Sequence, residues 1–150
     1  MFDKHRPADR QFRQTTRRLA GRSQVVPALG LALCLIAPSR AATPQDLLTQ
    51  YTAASGTAAA AARGQQFFLA RHGKEWSCAS CHTASPGQPG RHAATGKVIQ
   101  PLAPAFNVER FSDAAKTEKW FRRNCNDVLG RECSPAEKAD VLAWLVTLKP

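Results

Sequence analysis

Methionine and long apolar stretches are scarce in this sequence. Met1 is its only methionine, so no thioether side chain remains to bind a metal once an N-terminal segment is removed. The apolar stretch at residues 25–38 is about half as long as a membrane-spanning helix requires. These two absences exclude a methionine-ligated metal centre and argue against a retained transmembrane anchor.

The first 41 residues have the composition of a secretory signal peptide. A basic segment at residues 1–22 precedes the apolar stretch, and the small residues Ala41 and Ala42 follow it. Cleavage after either alanine fits this pattern. We therefore predict a signal peptide at residues 1–41, a mature domain at residues 42–150 and a periplasmic location with no membrane anchor after processing.

The positive charge of the chain belongs largely to this N-terminal segment. The whole sequence has 21 basic and 11 acidic residues, of which eight and two lie in residues 1–41. The remaining 13 basic and nine acidic residues give the mature chain a formal net charge of +4. No basic stripe interleaved with aromatic residues is left, which argues against nucleic-acid binding. A modest positive surface is better suited to an acidic protein partner.

Residues 78–82 read Cys-Ala-Ser-Cys-His, a spacing typical of covalent attachment of c-type haem. Cys78 and Cys81 can each add to one vinyl group of the porphyrin, and the turn between them brings His82 beneath the ring as an iron ligand. A structural zinc site would need a second closely spaced ligand pair. A thioredoxin-like redox pair would need a strand–helix context. The flanking sequence offers neither, so the motif predicts one covalently bound haem c.

The rest of the mature sequence predicts an all-α domain, because no segment alternates polar and apolar residues as a strand would. Thr43 is expected to cap the first helix, Ser112 the third, and Ser134 the last, in a capping box with Glu137. The segment at 83–107 is rich in proline and glycine and is expected to be an irregular connection around the haem. The four predicted helices cover residues 43–55, 58–71, 112–123 and 134–148.

The order of these features resembles the class I cytochrome c fold. The second helix carries a Gly-x-x-x-aromatic pattern in Gly64 and Phe68, the haem motif follows, and Trp144 and Leu145 lie in the last helix. In that fold the first and last helices cross where a glycine lets them approach. The resemblance implies that Gly64 and Phe68 meet the face formed by Trp144 and Leu145.

The residues alone leave the second axial ligand of the iron open. His72 precedes Cys78 by six residues and lies on the side of the attachment motif, from which the opposite face is hard to reach. His92 lies in the irregular segment and could fold over the ring. Asn124 stands at the predicted end of the third helix. Ligation by His92 and an open or weakly ligated site are both compatible with this composition.

From Gly96 to Trp144 the sequence closely resembles the SHP (sphaeroides haem protein) group of bacterial high-spin c-type cytochromes, and Tyr51, Arg63-Gly64 and Phe68 upstream also match. The match spans essentially the whole mature chain. The residues that carry it are Tyr51, Arg63-Gly64, Phe68, Thr95-Gly-Lys97, Pro101-Leu-Ala-Pro104, Arg110-Phe111, Glu118-Lys-Trp120, Arg123-Asn-Cys-Asn126, Gly130-Arg131, Cys133, Glu137-Lys-Ala-Asp140 and Leu142-Ala-Trp-Leu145.

This resemblance implies the far-side ligand. In the SHP group an asparagine amide oxygen binds the iron opposite the histidine, and Asn124 occupies the matching position. The late cysteine pair of the group is a disulfide, which implies a bond between Cys125 and Cys133 here. The segment between His82 and Thr95 departs from the family pattern, so a bis-histidine shuttle that uses His92 remains the alternative.

The resemblance also implies a function. Members of the group are redox proteins that bind O2 or NO on the reduced haem and receive electrons from a dihaem cytochrome c. We expect Asn124 to leave on reduction and to let O2, NO or CO bind. A haem peroxidase or an NO-consuming oxygenase is less favoured, because a peroxidase would want a distal acid–base residue and only His92 could serve. The chain is therefore not expected to be an enzyme.

Overall fold

The computed structural model describes residues 41–150, so the predicted signal peptide, apart from Ala41, lies outside the described residues. The described part is mainly helical, as predicted, with one short antiparallel strand pair. No helix within it is long and apolar enough to cross a bilayer. Its elements are α1 (Pro44–Ser55), α2 (Ala61–Leu69), α3 (Cys78–His82), β1 (Gly90–Arg91), β2 (Val98–Ile99), α4 (Ala114–Leu129) and α5 (Pro135–Leu145).

Capping boxes begin the first and last helices; the sequence predicted the one at Ser134, and at Thr43 it predicted the N-cap alone. The Thr43 hydroxyl accepts a hydrogen bond from the Asp46 N–H at 3.1 Å, and the Asp46 carboxylate accepts one from the Thr43 N–H at 3.0 Å. At α5 the Ser134 hydroxyl accepts from the Glu137 N–H at 3.2 Å, and the Glu137 carboxylate accepts from the Ser134 N–H at 2.7 Å. These side chains satisfy N–H groups that the helix itself leaves unpaired.

Helix α4 differs from the prediction at both ends. Its N-cap is Asp113, whose carboxylate accepts from the Lys116 N–H at 2.8 Å, whereas the Ser112 hydroxyl donates backwards to the Glu109 carbonyl. The helix continues beyond the predicted end to Leu129 and stops at Gly130, which adopts a left-handed conformation with φ 74°. Asn124 therefore lies inside the helix and not at its end.

Helices α2 and α5 cross at Gly64. A Cβ atom at this position would overlap the Asp140 carbonyl and the Val141 nitrogen, so only glycine allows this approach. One turn further along α2, Phe68 packs on Trp144 with ring centroids 5.1 Å apart. Phe68 thus meets the predicted face of α5, while Gly64 contacts the turn before it.

Asp140 fixes this crossing through hydrogen bonds to α2 and to its start. The Ala60 N–H donates to the carboxylate at 2.6 Å, and the Arg63 guanidinium donates to both carboxylate oxygens at 2.7 and 2.8 Å. Asp140 is buried, so its charge needs this pairing. The same carboxylate also caps α2, which has no side-chain cap of its own.

Candidate functional site

A cavity of about 530 Å³ lies between α3, α4 and the irregular segment, with α2 and α5 contributing to its wall. This volume falls within the usual range of cofactor pockets, about 300–1,000 Å³. Cys78, Cys81 and His82 line it, as do His92 and Asn124. The structure therefore brings all four predicted haem-binding residues, and the alternative ligand, to one cavity.

The two cysteines of the motif lie on the single turn of α3. Neither forms a disulfide. Ser77 precedes the helix, and its N–H donates to the Ser80 hydroxyl at 2.9 Å, which holds the turn in place. Burial raises the pKa of the Cys78 thiol to about 11, with the neighbouring Cys81 contributing. Cys81 also lines the cavity, and its sulfur accepts a hydrogen bond from the Ala93 N–H at 3.3 Å.

His82 ends α3 with its imidazole facing the cavity. Burial and, to a smaller extent, the positive charge of Arg110 together lower its pKa to about 4. The ring is therefore neutral at neutral pH, the form in which an imidazole nitrogen can bind a metal. Thr83 follows with φ 62°, an uncommon conformation for a residue with a side chain, and its hydroxyl accepts from the Ser85 N–H at 3.1 Å.

Asn124 reaches the cavity from the middle of α4 and is half-buried. Its side-chain amide makes no hydrogen bond with another residue in the range 41–150. An amide that faces a cavity without a protein partner is available to a bound group. The structure also brings the exposed carboxylate of Asp127 to this wall, which the sequence argument about distal acid–base residues did not consider.

The two other described histidines, His72 and His92, each form a hydrogen bond with a backbone group. His92 follows β1, and its Nδ1 accepts a hydrogen bond from the Thr95 N–H at 3.3 Å. In that tautomer Nε2 carries the proton and has no lone pair for iron. His72 Nε2 lies 2.8 Å from the Phe67 carbonyl, its ring packs on the Phe67 ring, and it does not line the cavity.

Arg110 is a cavity residue to which the sequence analysis assigned no role. Its guanidinium donates to the Pro101 carbonyl at 2.9 Å and to the Gln100 carbonyl at 2.8 Å. Burial lowers its pKa, with only partial relief from Glu109. A half-buried cation held by two neutral carbonyls suits a cofactor that brings its own carboxylates, as haem does with its propionates. The cavity residues therefore fit haem.

The wall next to Asn124 contains the late cysteine pair. The Sγ atoms of Cys125 and Cys133 lie 1.99 Å apart and their Cα atoms 5.5 Å apart, which is the geometry of a disulfide. Both residues are buried and both line the cavity. The bridge joins α4, one residue after Asn124, to the start of α5.

A helical domain with a Cys-x-x-Cys-His turn, and a neutral buried histidine facing a cavity of this size, defines a c-type cytochrome. Comparison with known proteins agrees with this class. Residues 54–145 match the family described as "Domain of unknown function (DUF1924)". Cytochrome c-type protein SHP of Cereibacter sphaeroides is 49% identical over 107 residues, which are 69% of this chain and 82% of that protein.

Solved structures give the same result. Oxidised SHP, an oxygen-binding cytochrome c, superimposes with a TM-score of 0.68 at 46% identity. The aligned region is 72% of this chain and 99% of the SHP chain. Oxidised cytochrome c'' of Methylophilus methylotrophus superimposes with a TM-score of 0.65 at 42% identity. The aligned region is 71% of this chain and 95% of the cytochrome c'' chain. In sequence, cytochrome c'' is 51% identical over 80 residues, 53% of this chain and 56% of that protein.

The chain belongs to the DUF1924 family and is an SHP-type c-type cytochrome with one covalently bound haem c. The predicted family, the cytochrome c fold and the cofactor are confirmed.

Proposed function

We propose that this protein is a periplasmic, high-spin monohaem cytochrome that carries electrons and binds small diatomic molecules when reduced. Cys78 and Cys81 hold the haem through thioether bonds, and His82 is its permanent axial ligand. The observation that carries the rest is Asn124, whose amide faces the same cavity and has no other partner among the described residues.

Asn124 is proposed as the ligand of the oxidised state only. An amide oxygen is a hard, weak donor that tolerates ferric iron, whereas ferrous iron prefers softer or π-accepting ligands. Reduction therefore favours release of Asn124, and the vacated position can take O2, NO or CO. Because Asn124 lies within a continuous helix, this release requires only side-chain rotation and no unwinding of the backbone. The similarity to an oxygen-binding cytochrome c supports this proposal.

Electron exchange is proposed to occur with another periplasmic redox protein, a dihaem cytochrome c being the family's precedent. The mature chain has a formal net charge of +4, and the exposed side chains of Lys97, Lys116 and Arg123 lie at the cavity wall. Three acidic side chains also line the cavity, so the net positive charge of the mature chain, more than these cations alone, would attract an acidic protein surface. This role is that of a carrier and ligand-binding protein, not of an enzyme.

The proposal is tested by comparing Asn124→Ala with His92→Ala in the haem-loaded protein. Asn124→Ala should retain covalent haem but change the ferric spectrum to that of a water-ligated or five-coordinate iron. Asn124→His should instead provide a stronger far-side ligand, which gives a low-spin ferric state and slows CO binding after reduction. His92→Ala is the matched control, because His92 also lines the cavity and should leave the ferric spectrum unchanged.

The bis-histidine alternative makes the reverse prediction. If His92→Ala changes the ferric spectrum while Asn124→Ala does not, the far-side ligand is His92 and the protein is an electron shuttle. A wild-type protein that stays low-spin in both redox states would support the same alternative.

A further inference from the structure

On the cavity-facing side of α4, the residues can be placed around the helix axis from those next to the core to those next to solvent. Successive residues of an α-helix are rotated by about 100°. Relative to Thr117, which is buried, Asn124 therefore projects about 20° towards one side and Trp120 about 60° towards the same side. On the other side of Thr117, at about 20°, lies Val128, which is also buried. Trp120 thus stands on the solvent side of Asn124, one turn earlier in the helix.

Trp120 is a large apolar side chain in an unusual position. It lines the cavity, yet it is 43% exposed. The guanidinium of Arg123 lies over its indole, 5.2 Å from the ring centroid, a cation–π contact that limits the freedom of the ring. Of the other exposed apolar residues, Val98 also borders the cavity, whereas Leu69 and Val108 do not. The indole therefore borders the cavity on the solvent-facing side of α4, one turn from Asn124.

We propose that Trp120, held by Arg123, is the outer wall of the small-ligand site and limits the size of the molecules that enter it. This inference rests on the proposed release of Asn124, which creates the vacancy that Trp120 borders. A rigid indole beside the vacancy leaves room for a diatomic molecule and excludes branched ligands. Selectivity for diatomics is then set by Trp120 and not by the iron, which binds isocyanides of any size.

The test measures association rates of CO, methyl isocyanide and tert-butyl isocyanide with the reduced, haem-loaded protein. Trp120→Ala should raise the rate for tert-butyl isocyanide at least about tenfold more than the rate for CO, because a few carbon atoms of steric exclusion are worth that much discrimination. Trp120→Phe should give a smaller increase in the ratio of the tert-butyl isocyanide rate to the CO rate. It replaces the alanine variant in this test if that variant folds poorly. Arg123→Gln should also increase the ratio by freeing the ring.

Leu69→Ala is the matched control, because it removes an equally exposed apolar side chain away from the cavity. It should leave the ratio unchanged, and each variant should retain its haem-added mass. If Trp120→Ala leaves the tert-butyl to CO ratio unchanged while the wild type binds CO, the assignment of Trp120 is wrong and the proposed function stands. If the reduced wild type binds none of the three ligands, the proposed function fails and the inference fails with it.

Discussion

The aromatic ring of Phe68 lies beside the imidazole of His82, with ring centroids 6.3 Å apart. On its other side the same ring packs on Trp144. Phe68 is almost completely buried, at 1% exposure. The position of the proposed iron ligand is therefore tied to the α2–α5 crossing through one side chain.

Replacing Phe68 by alanine should destabilise the protein and loosen His82. Truncation of a buried phenylalanine costs about 3–5 kcal/mol through lost burial and the remaining cavity. Urea denaturation of the haem-loaded protein measures this loss, and the ferrous spectrum reports the histidine. Leu69→Ala is the neighbouring control and should change stability by no more than about 0.5 kcal/mol because Leu69 is 42% exposed. Equal effects of the two substitutions would contradict this account.

Removal of the motif cysteines should abolish covalent attachment. The wild-type protein should retain its haem after acid–acetone extraction and show the haem-added mass. Cys78→Ser and Cys81→Ser together should release all haem under the same treatment. Cys125→Ser with Cys133→Ser removes the same number of sulfur atoms from the same cavity wall and should retain the haem. Complete extraction of haem from the wild type would show that the attachment residues are wrongly assigned.

The late cysteine pair should form a disulfide in the haem-loaded protein. Thiol labelling of denatured, unreduced protein should detect no free thiol, since Cys78 and Cys81 are consumed by the haem. Replacement of both late cysteines by serine should lower the free energy of unfolding by about 2–3 kcal/mol, the chain-entropy value for so short a loop. Two reactive thiols in the wild type would argue against the Cys125–Cys133 bond.

Gly64→Ala should destabilise the protein although it raises helix propensity. In an exposed helix this change stabilises by about 0.5–1 kcal/mol. Here the added methyl group would collide with the Asp140 backbone, and forced packing of this kind costs about 1–3 kcal/mol. Thermal unfolding shows directly whether the substitution raises or lowers the stability of the protein. Ala62→Gly, on the exposed side of the same helix, measures how much an alanine-to-glycine difference in helix propensity alone changes the stability. A Gly64→Ala variant that is more stable than the wild type would disprove the close crossing of α2 and α5.

Local signals predicted much of this fold. The N-cap Thr43 predicted the start of α1 and the Ser134 capping box that of α5, because each start is set by residues within one turn. The Gly64 pattern predicted a close helix crossing, which the structure contains. The helical boundaries were less accurate where local signals compete. Both Ser112 and Asp113 can cap a helix, and Gly130, the left-handed end of α4, was not used as a stop signal.

The cavity was harder to predict in full. Its attachment motif is a contiguous string, and Asn124 came from family resemblance. Arg110 and Trp120 had no assigned role, because what distinguishes them is which wall they face, and that depends on contacts between distant segments. The β1–β2 pair was missed because two residues per strand are too few to show alternation.

The hydrogen bonds from Arg63 to Asp140 join positions 77 residues apart. Such non-local contacts form late in folding, because a long loop must first close. Helix α5, which completes the core, follows the other described helices in chain order and is therefore synthesised after them. Until α5 is made, α2 lacks its packing against that helix, and Cys78 lacks its contact with that part of the core. We expect this interval to be the time in which haem is joined to the chain, so that closure of the crossing follows attachment and seals the cofactor in place.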